Sequence, residues 1–384
     1  MRIVVVGSGV VGLLTAMECV RAGAQVSLVD QGGIPSPLAT SNDRQRVVRA
    51  LHRSDARLTA AAAQAHLGWL EVERRLGGWF YHRVGALTAM PAGEVESSLA
   101  LLAAAGASGR PLSAGDLSCH YPRIRFPAGL GAVLEPVTGI VLADRALTAM
   151  CRWLGCQRAV RLYPRRQVVA VDEGGAVLLA DGAVLAGDRV VVAAGPWSRD
   201  LLAAEVTLYR QSVLWYAAAP SAGAWAGTPA IVALGTDRGA WLIPPVAGAT
   251  ARLSAASACR TVPEMTDRVT PDYWREHLMD QFAPLLADFD PAAVVRASDG
   301  YYLADPASDG PLLGMLGDGA VVAYAACGGM SFKFAPLIAR AIADRVAGQP
   351  PRPVGIEPID HPRRLAAAAV SHDGEQARRK EEEL

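Results

Sequence analysis

The chain has no excess of charge. Its 384 residues carry 37 Lys+Arg and 37 Asp+Glu, so the formal net charge is zero. Nucleic-acid binders normally show a basic excess, and polybasic segments mark membrane-surface proteins, so both readings are disfavoured. Cysteine is sparse: Cys19, Cys119, Cys151, Cys156, Cys259 and Cys327, with no C-x-x-C pair. That is no disulfide scaffold, and free thiols in a cytoplasmic protein are the default. The seven histidines are scattered without H-x-x-x-H spacing or a cysteine partner, so no metal site is expected. No uninterrupted apolar stretch approaches the roughly 18 residues of a transmembrane helix, and the start is too short for a secretory core. There is no repeat of roughly 20–50 residues.

What the sequence does have is apolar content, 51% against 19% charged residues, enough for a large core and too much for disorder. Its length suggests roughly two to three structural units. Ile3-Val4-Val5-Val6 reads as a buried parallel strand. Gly7-Ser8-Gly9-Val10-Val11-Gly12 follows, then a helical pattern to Gly23 and a second strand, Gln25 to Asp30. This is a complete βαβ unit with a G-x-G-x-x-G turn. Gly7 permits the tight turn, Gly9 a close backbone approach to a pyrophosphate, and Gly12 close helix–strand packing. Asp30 stands where an acid takes ribose hydroxyls and would repel a 2′-phosphate, which disfavours NADP. The motif alone does not decide between NAD and FAD.

Further along, Thr59–Arg75, Ser98–Ala105, Asp144–Leu154, Asp272–Leu286 and Ala335–Ala347 read as helices. Val84–Met90, Gly131–Pro136, Asp188–Gly195, Ser212–Ala218, Ala230–Leu234, Gly239–Ile243, Ala249–Ala255 and Gly319–Ala326 read as strands, and Val168–Ala180 as a hairpin about Glu173-Gly174-Gly175. The order is α/β, then β-rich, then α/β. The tail from Val370 is expected to be poorly ordered.

Four further segments stand out: Gln45-Arg46-Val47-Val48-Arg49, Leu134-Glu135-Pro136-Val137-Thr138-Gly139-Ile140, the V-V-V-A-A-G-P-W-S run Val190–Ser198, and Gly328-Gly329-Met330-Ser331-Phe332-Lys333. Taken in order, the set resembles the D-amino-acid-oxidase superfamily of FAD flavoproteins, nearest to the glycine oxidase and monomeric sarcosine oxidase group. The likeness runs over about residues 1 to 350. It implies an α/β (α+β) fold: a Rossmann-like, split FAD-binding domain (1–82, 140–208, 296–365), a β-sheet-rich substrate domain (83–139, 209–295) and a flexible tail (366–384).

The resemblance also implies roles. Non-covalent FAD is expected on Gly7, Gly9, Val10, Val11, Gly12, Asp30, Gln31, Asn42, Arg46, Val168, Ala194, Gly195 and Trp197. The last helix would add Gly329, Met330, Ser331, Phe332 and Lys333. Its N-terminal amides would face the flavin pyrimidine edge. Arg49 and Lys333 would hold a substrate carboxylate, Trp241 and Tyr301 would wall the pocket, and Arg252 would stand where sarcosine oxidases carry an oxygen-activating lysine. The bland alternatives are an arginine pair meeting solvent, aromatics in an ordinary core, and an Arg252 pointing outward into a surface ion pair. Three departures are visible. Asp299 occupies the position of the flavin-attaching cysteine. The carboxylate-binding arginine of glycine oxidases is missing near Tyr302-Leu303. Ala256 replaces a pocket histidine, which would leave room for a bulky N-substituent.

The implied reaction is oxidation of a glycine-like secondary amine to an imine that hydrolyses to glyoxylate and free amine, with O2 reduced to H2O2. Expected partners are a small amino-acid substrate and O2, without nucleic acid or membrane, in a cytoplasmic monomer or homo-oligomer. Alternatives are a dehydrogenase of the same fold with another electron acceptor, a non-catalytic FAD-binding subunit, and an NAD-dependent dehydrogenase.

Overall fold

A computed structural model describes residues 1–217, 225–236 and 239–350. The expected tail and the end of the 296–365 segment lie outside the described residues, as does Ala218.

The β-branched runs assemble first into one sheet. The strand Arg2–Val6 pairs in parallel with Gln25–Asp30 on one side and Arg189–Val192 on the other. The six-stranded order is Pro311–Leu316, Val321–Cys327, Arg189–Val192, Arg2–Val6, Gln25–Asp30, Val160–Pro164. Only the pairing of the first two is antiparallel. Val4, Val5, Val190 and Val191 are at most 1% exposed, which explains why these strands read as continuous apolar runs. The helices Val10–Arg21 and Ala56–Leu76 pack against the last helix, Ser331–Val346. Gly68 makes the second contact possible, since a Cβ there would stand 2.8 Å from Pro336 Cβ. Trp69, fully buried, stacks on Phe332 with ring centroids 5.0 Å apart.

The β-rich middle forms a nine-stranded sheet. Its path runs Cys259–Thr261, Thr207–Tyr216, Ala251–Ala255, Ala240–Ile243, Ala230–Leu234, Ala86–Pro91, Leu130–Glu135, Arg110–Leu112, with Val294–Ala304 also on Thr207–Tyr216. Within it, Ala230–Leu234 and Ala86–Pro91 pair in parallel. The helices Ala114–His120 and Asp272–Phe282 close the outer core around Leu87, Leu253, Leu278 and Phe282. Two small sheets complete the molecule: Val168–Asp172, Ala176–Leu179, Val184–Ala186, and Arg46–Val48, Gly139–Val141, Tyr81–His82. The second packs against the nine-stranded sheet, since Val47, Ile140 and Trp241 share one apolar cluster.

The expected elements are present with shifted ends. The helix from Asp272 stops at Phe282, and the last helix begins at Ser331, ahead of Ala335.

Candidate active site

A cavity of about 1080 Å³ runs between the six-stranded sheet and the nine-stranded one, from Asp30 to Lys333. At the Asp30 end its wall includes Gly7, Gly9, Val10, Val11 and Gln31, with Asn42 and Val168 nearby. Ala194, Gly195 and Trp197 enter from the turn after Arg189–Val192. At the other end stand Gly329, Met330, Ser331, Phe332 and Lys333. The structure therefore brings the sequence-distant segments together along one groove.

The glycines act as their positions require. A Cβ on Gly7, at φ +102, would lie 2.4 Å from Ala193 O, and one on Gly12 only 1.9 Å from Gly7 O. Both contacts are with backbone, so no side-chain shift relieves them. Gly12 does not reach the cavity wall; its part is helix–strand packing. The Val10 amide donates to Ser41 Oγ (3.0 Å), so one orphan donor of the helix terminus already has a partner. Asp30 is 8% exposed and accepts from Ser8 N (2.7 Å), Ser8 Oγ (2.9 Å) and Gly32 N (2.8 Å). Three of a carboxylate's roughly four acceptor sites are thus occupied within the chain, leaving one open.

Arg46 reaches the cavity. Its guanidinium donates to Thr40 O, pairs with Asp43 at 2.9 Å and lies 5.8 Å from the Phe332 ring centroid. Arg252 is 3% exposed and points inward, not into a surface ion pair. It donates to Gln45 O (2.5 Å), pairs with Asp43 (2.8 Å), and sits over Trp215 (4.9 Å) and Trp241 (5.8 Å). Burial, opposed by Asp43 and reinforced by Arg46, pulls it down to about 10. Arg252 Nε, Asp43 Oδ1 and Gln45 Oε1 are buried without partners in this one network. A buried donor and two acceptors left open beside a cavity fit a polar ligand. With the glycine cradle and the two helix termini, they fit a dinucleotide such as FAD.

Arg49 departs from expectation. It is not part of the cavity wall and makes no hydrogen bond or ion pair among the described residues. It lies near Glu135, whose charge acts on it, and its own charge acts on Glu135 and on Lys333. Burial pulls its guanidinium below the usual range, with Glu135 opposing. Lys333, 9% exposed, is in the wall; burial and then Arg49 hold its amine well below the usual lysine range. Glu135, 1% exposed, accepts the amides of Ala50 (2.6 Å) and Leu51 (3.0 Å); burial pushes its carboxyl up despite those bonds and the two cations. The arrangement is a buried guanidinium and a buried amine whose near carboxylate is already engaged by backbone.

Trp241 and Tyr301 both line the cavity. The Tyr301 hydroxyl is turned away, donating to Asp267 O (2.9 Å) and bonded to Thr266. Asp299 is held by Arg210, by Arg260 at 3.0 Å and by Thr270 at 2.7 Å. Ala256 is exposed on the turn after Ala251–Ala255 and absent from the wall, so it does not widen the pocket: its strand has ended before that residue. Sequence reasoning missed Asp43, His52, Glu135 and Trp215. Glu135, an acid closing an apolar strand, was the readable signal among them. Among the described residues no group of three or more His, Cys, Asp or Glu could hold a metal, and no helix is long and apolar enough to cross a membrane.

A family model described as FAD dependent oxidoreductase matches residues 2–345. The chain is 27% identical over 203 residues to peroxisomal sarcosine oxidase of Mus musculus, covering 52% of this chain and 51% of that one. It is 30% identical over 229 residues to glycine oxidase of Pseudomonas putida, covering 52% and 57%. The chain thus spans about half the length of the curated relatives it matches. Its fold is similar to that of NikD, described as an unusual amino acid oxidase, at a TM-score of 0.75 and 20% identity over 96% of this chain and 98% of that one. It is likewise similar to fructosamine oxidase (Amadoriase II) of Aspergillus fumigatus, at 0.71 and 18% over 91% and 87%. With the family model spanning nearly all the described residues and the glycine cradle in place, the chain belongs to the FAD-dependent oxidoreductase (DAO) family.

Proposed function

We propose that this chain is an FAD-dependent oxidase of a glycine-like secondary amine, an N-substituted glycine or N-alkyl amino acid, releasing glyoxylate and the freed amine. The observation that carries this reading is the pair of buried basic side chains, Arg49 and Lys333, whose neighbouring Glu135 is engaged by the amides of Ala50 and Leu51. A guanidinium fork and an amine side by side offer several N–H donors, and such a set suits a carboxylate.

Non-covalent FAD would lie along the cavity. Gly7, Gly9, Val10 and Val11 would receive its pyrophosphate, Asp30 the ribose, and Ser331 to Lys333 the pyrimidine edge. When bound, the flavin supplies two-electron oxidation of the substrate's C–N bond, with O2 as final acceptor giving H2O2. The protein's own part is placement: Arg49 and Lys333 orient the carboxylate, while Trp241, Trp215 and Tyr301 exclude water and strengthen the electrostatics. The split domains 1–82, 140–208 and 296–365 around 83–139 and 209–295 suit a groove between the sheets. The likeness to sarcosine oxidase and glycine oxidase supports the substrate class. A cytoplasmic monomer or homo-oligomer is part of the same reading.

One observation favours a second reading, a dehydrogenase with another electron acceptor. Arg252, the candidate oxygen-activating charge, is countered by Asp43 at 2.8 Å. The spectrum of the purified protein, then anaerobic bleaching across a panel of N-alkyl glycines, tests the proposal. A flavin spectrum bleached by such amines and restored by air with peroxide is expected. A flavin that no amino acid bleaches refutes it, and restoration only by an added acceptor favours the second reading.

A further inference from the structure

One buried contact beside the cavity joins Lys333 to a residue that the proposed carboxylate grip does not use. Lys333 Nζ lies 2.5 Å from His52 Nε2. An ammonium and an imidazolium are both donors only, so at this separation at least one of the two nitrogens carries a free lone pair. His52 is fixed in place: its amide donates to Thr59 Oγ1 (3.1 Å), the same hydroxyl bonds to its carbonyl (3.0 Å), and its ring lies against Phe334. Phe334 also covers the amine, 4.8 Å from ring centroid to Nζ. The charged groups facing the pair are Arg49, from the segment before His52, and Glu135, from the strand Leu130–Glu135. Behind these stand Arg53, beside Arg49, and Tyr81, beside Glu135. Glu135 bonds the Ala50 and Leu51 amides and makes, among the described residues, no hydrogen bond or ion pair to either member of the pair.

We propose that His52 is a positioning residue that holds the Lys333 amine by accepting from it through Nε2, and that Lys333 takes the proton a substrate ammonium must lose before its C–N bond is oxidised. The proton step rests on the reaction proposed above. The step balances: an N–H bond of the ammonium breaks, an N–H bond forms at Lys333 Nζ, and one positive charge moves from substrate to lysine with no electron transferred. His52 then accepts from the new ammonium, and Glu135 offsets part of the charge gained. Burial together with Lys333 and Arg49 pushes the imidazole's proton affinity down, and burial with Arg49 does the same to the amine.

Two measurements on the holoenzyme test this. Imidazole NMR between about pH 6 and 9, across the ordinary histidine range, should show His52 neutral with a bare Nε2; His52→Gln assigns the signal. A protonated ring, or a proton resident on Nε2, overturns the pairing. The pH profile of anaerobic flavin bleaching should have an acid limb set by Lys333. In His52→Leu the ammonium loses its acceptor, so the limb should move to lower pH as the maximal rate drops several-fold; His52→Gln, which keeps an accepting oxygen, should restore it in part. Lys333→Met should follow the substrate's own amine titration. An unmoved limb with only a raised KM in these variants overturns the proton step. If no amine bleaches the flavin while Nε2 is bare, the oxidase reading and the proton step fall and the His52–Lys333 pairing is upheld.

Discussion

Trp69 donates through Nε1 to the main-chain oxygen of Phe332, 3.2 Å away, and to that of Lys333 at 3.0 Å. Phe332 O is the carbonyl four residues before Pro336, which has no N–H to give it. An indole from the helix Ala56–Leu76 thus supplies the bond that a proline removes from the helix carrying Lys333. Trp69→Phe should leave that buried oxygen unpaired at a cost of about 1–3 kcal/mol. Urea unfolding of the holoenzyme should show a lower midpoint at unchanged slope. An unchanged midpoint would mean that the bond adds nothing to stability.

Gly12→Ala should lose both stability and flavin. The new Cβ would meet Gly7 O at 1.9 Å, and the strain has only backbone to move. Overpacking of this kind costs about 1–3 kcal/mol, sometimes more. The ratio of flavin to protein absorbance after gel filtration should fall sharply. A fully loaded variant would show that the helix start is not what receives the pyrophosphate.

Arg49→Ala should lower kcat/KM by about 2–5 kcal/mol equivalent, as when a buried charge pair loses one member. Because Arg49 stands off the cavity wall while Arg46 lines it, the test discriminates between them. A near-normal Arg49→Ala beside a crippled Arg46→Ala would move the carboxylate to Arg46.

Arg252→Met should slow reoxidation by O2 far more than anaerobic reduction by substrate, since a fixed cation favours negative charge developing on oxygen in a low-dielectric site. Asp43→Asn, which releases Arg252 from its counter-charge, should act in the opposite direction. Stopped-flow measurement of the two half-reactions decides. Equal effects on both would remove Arg252 from the oxygen chemistry.

The flavin should leave with acid. Asp299 stands between Arg210 and Arg260 and offers no thiol. Cys327, the thiol in the cavity wall, is pushed up by burial and so stays a poor nucleophile. Acid precipitation should give a yellow supernatant, and a yellow pellet that resists extraction would contradict this.

How much of this was legible depended on the range of the interaction. The βαβ unit was readable because a strand, three glycines and an acid lie within about thirty residues, the span of one such unit. The helix Ala114–His120 was missed although Ser113 and Asp116 form a capping box, a local signal that was available. The nine-stranded order was not readable, because parallel pairing of Ala230–Leu234 with Ala86–Pro91 joins residues far apart in sequence. Lys333 could be named from its motif, but His52 and Glu135 become special only through burial around that lysine. Ala256 failed for a related reason: an alignment position does not say where a strand stops.

Glu135 is the last residue of a strand in the nine-stranded sheet, yet both its oxygens are bolted to the peptide of Ala50 and Leu51. Two residues of that short stretch, Arg49 and His52, lie on either side of the bolt. The sheet that covers the cavity and the basic groups at its end are therefore one mechanical part. A displacement of the Leu130–Glu135 strand, wherever it starts, is delivered to Arg49 and His52 as a change of reach. The turn that follows is equally confined, for a Cβ at Gly139 would stand 2.1 Å from His82 O. Length changes between residues 135 and 139, remote from the groove in sequence, should thus be felt as changes in ligand grip before they are felt as unfolding.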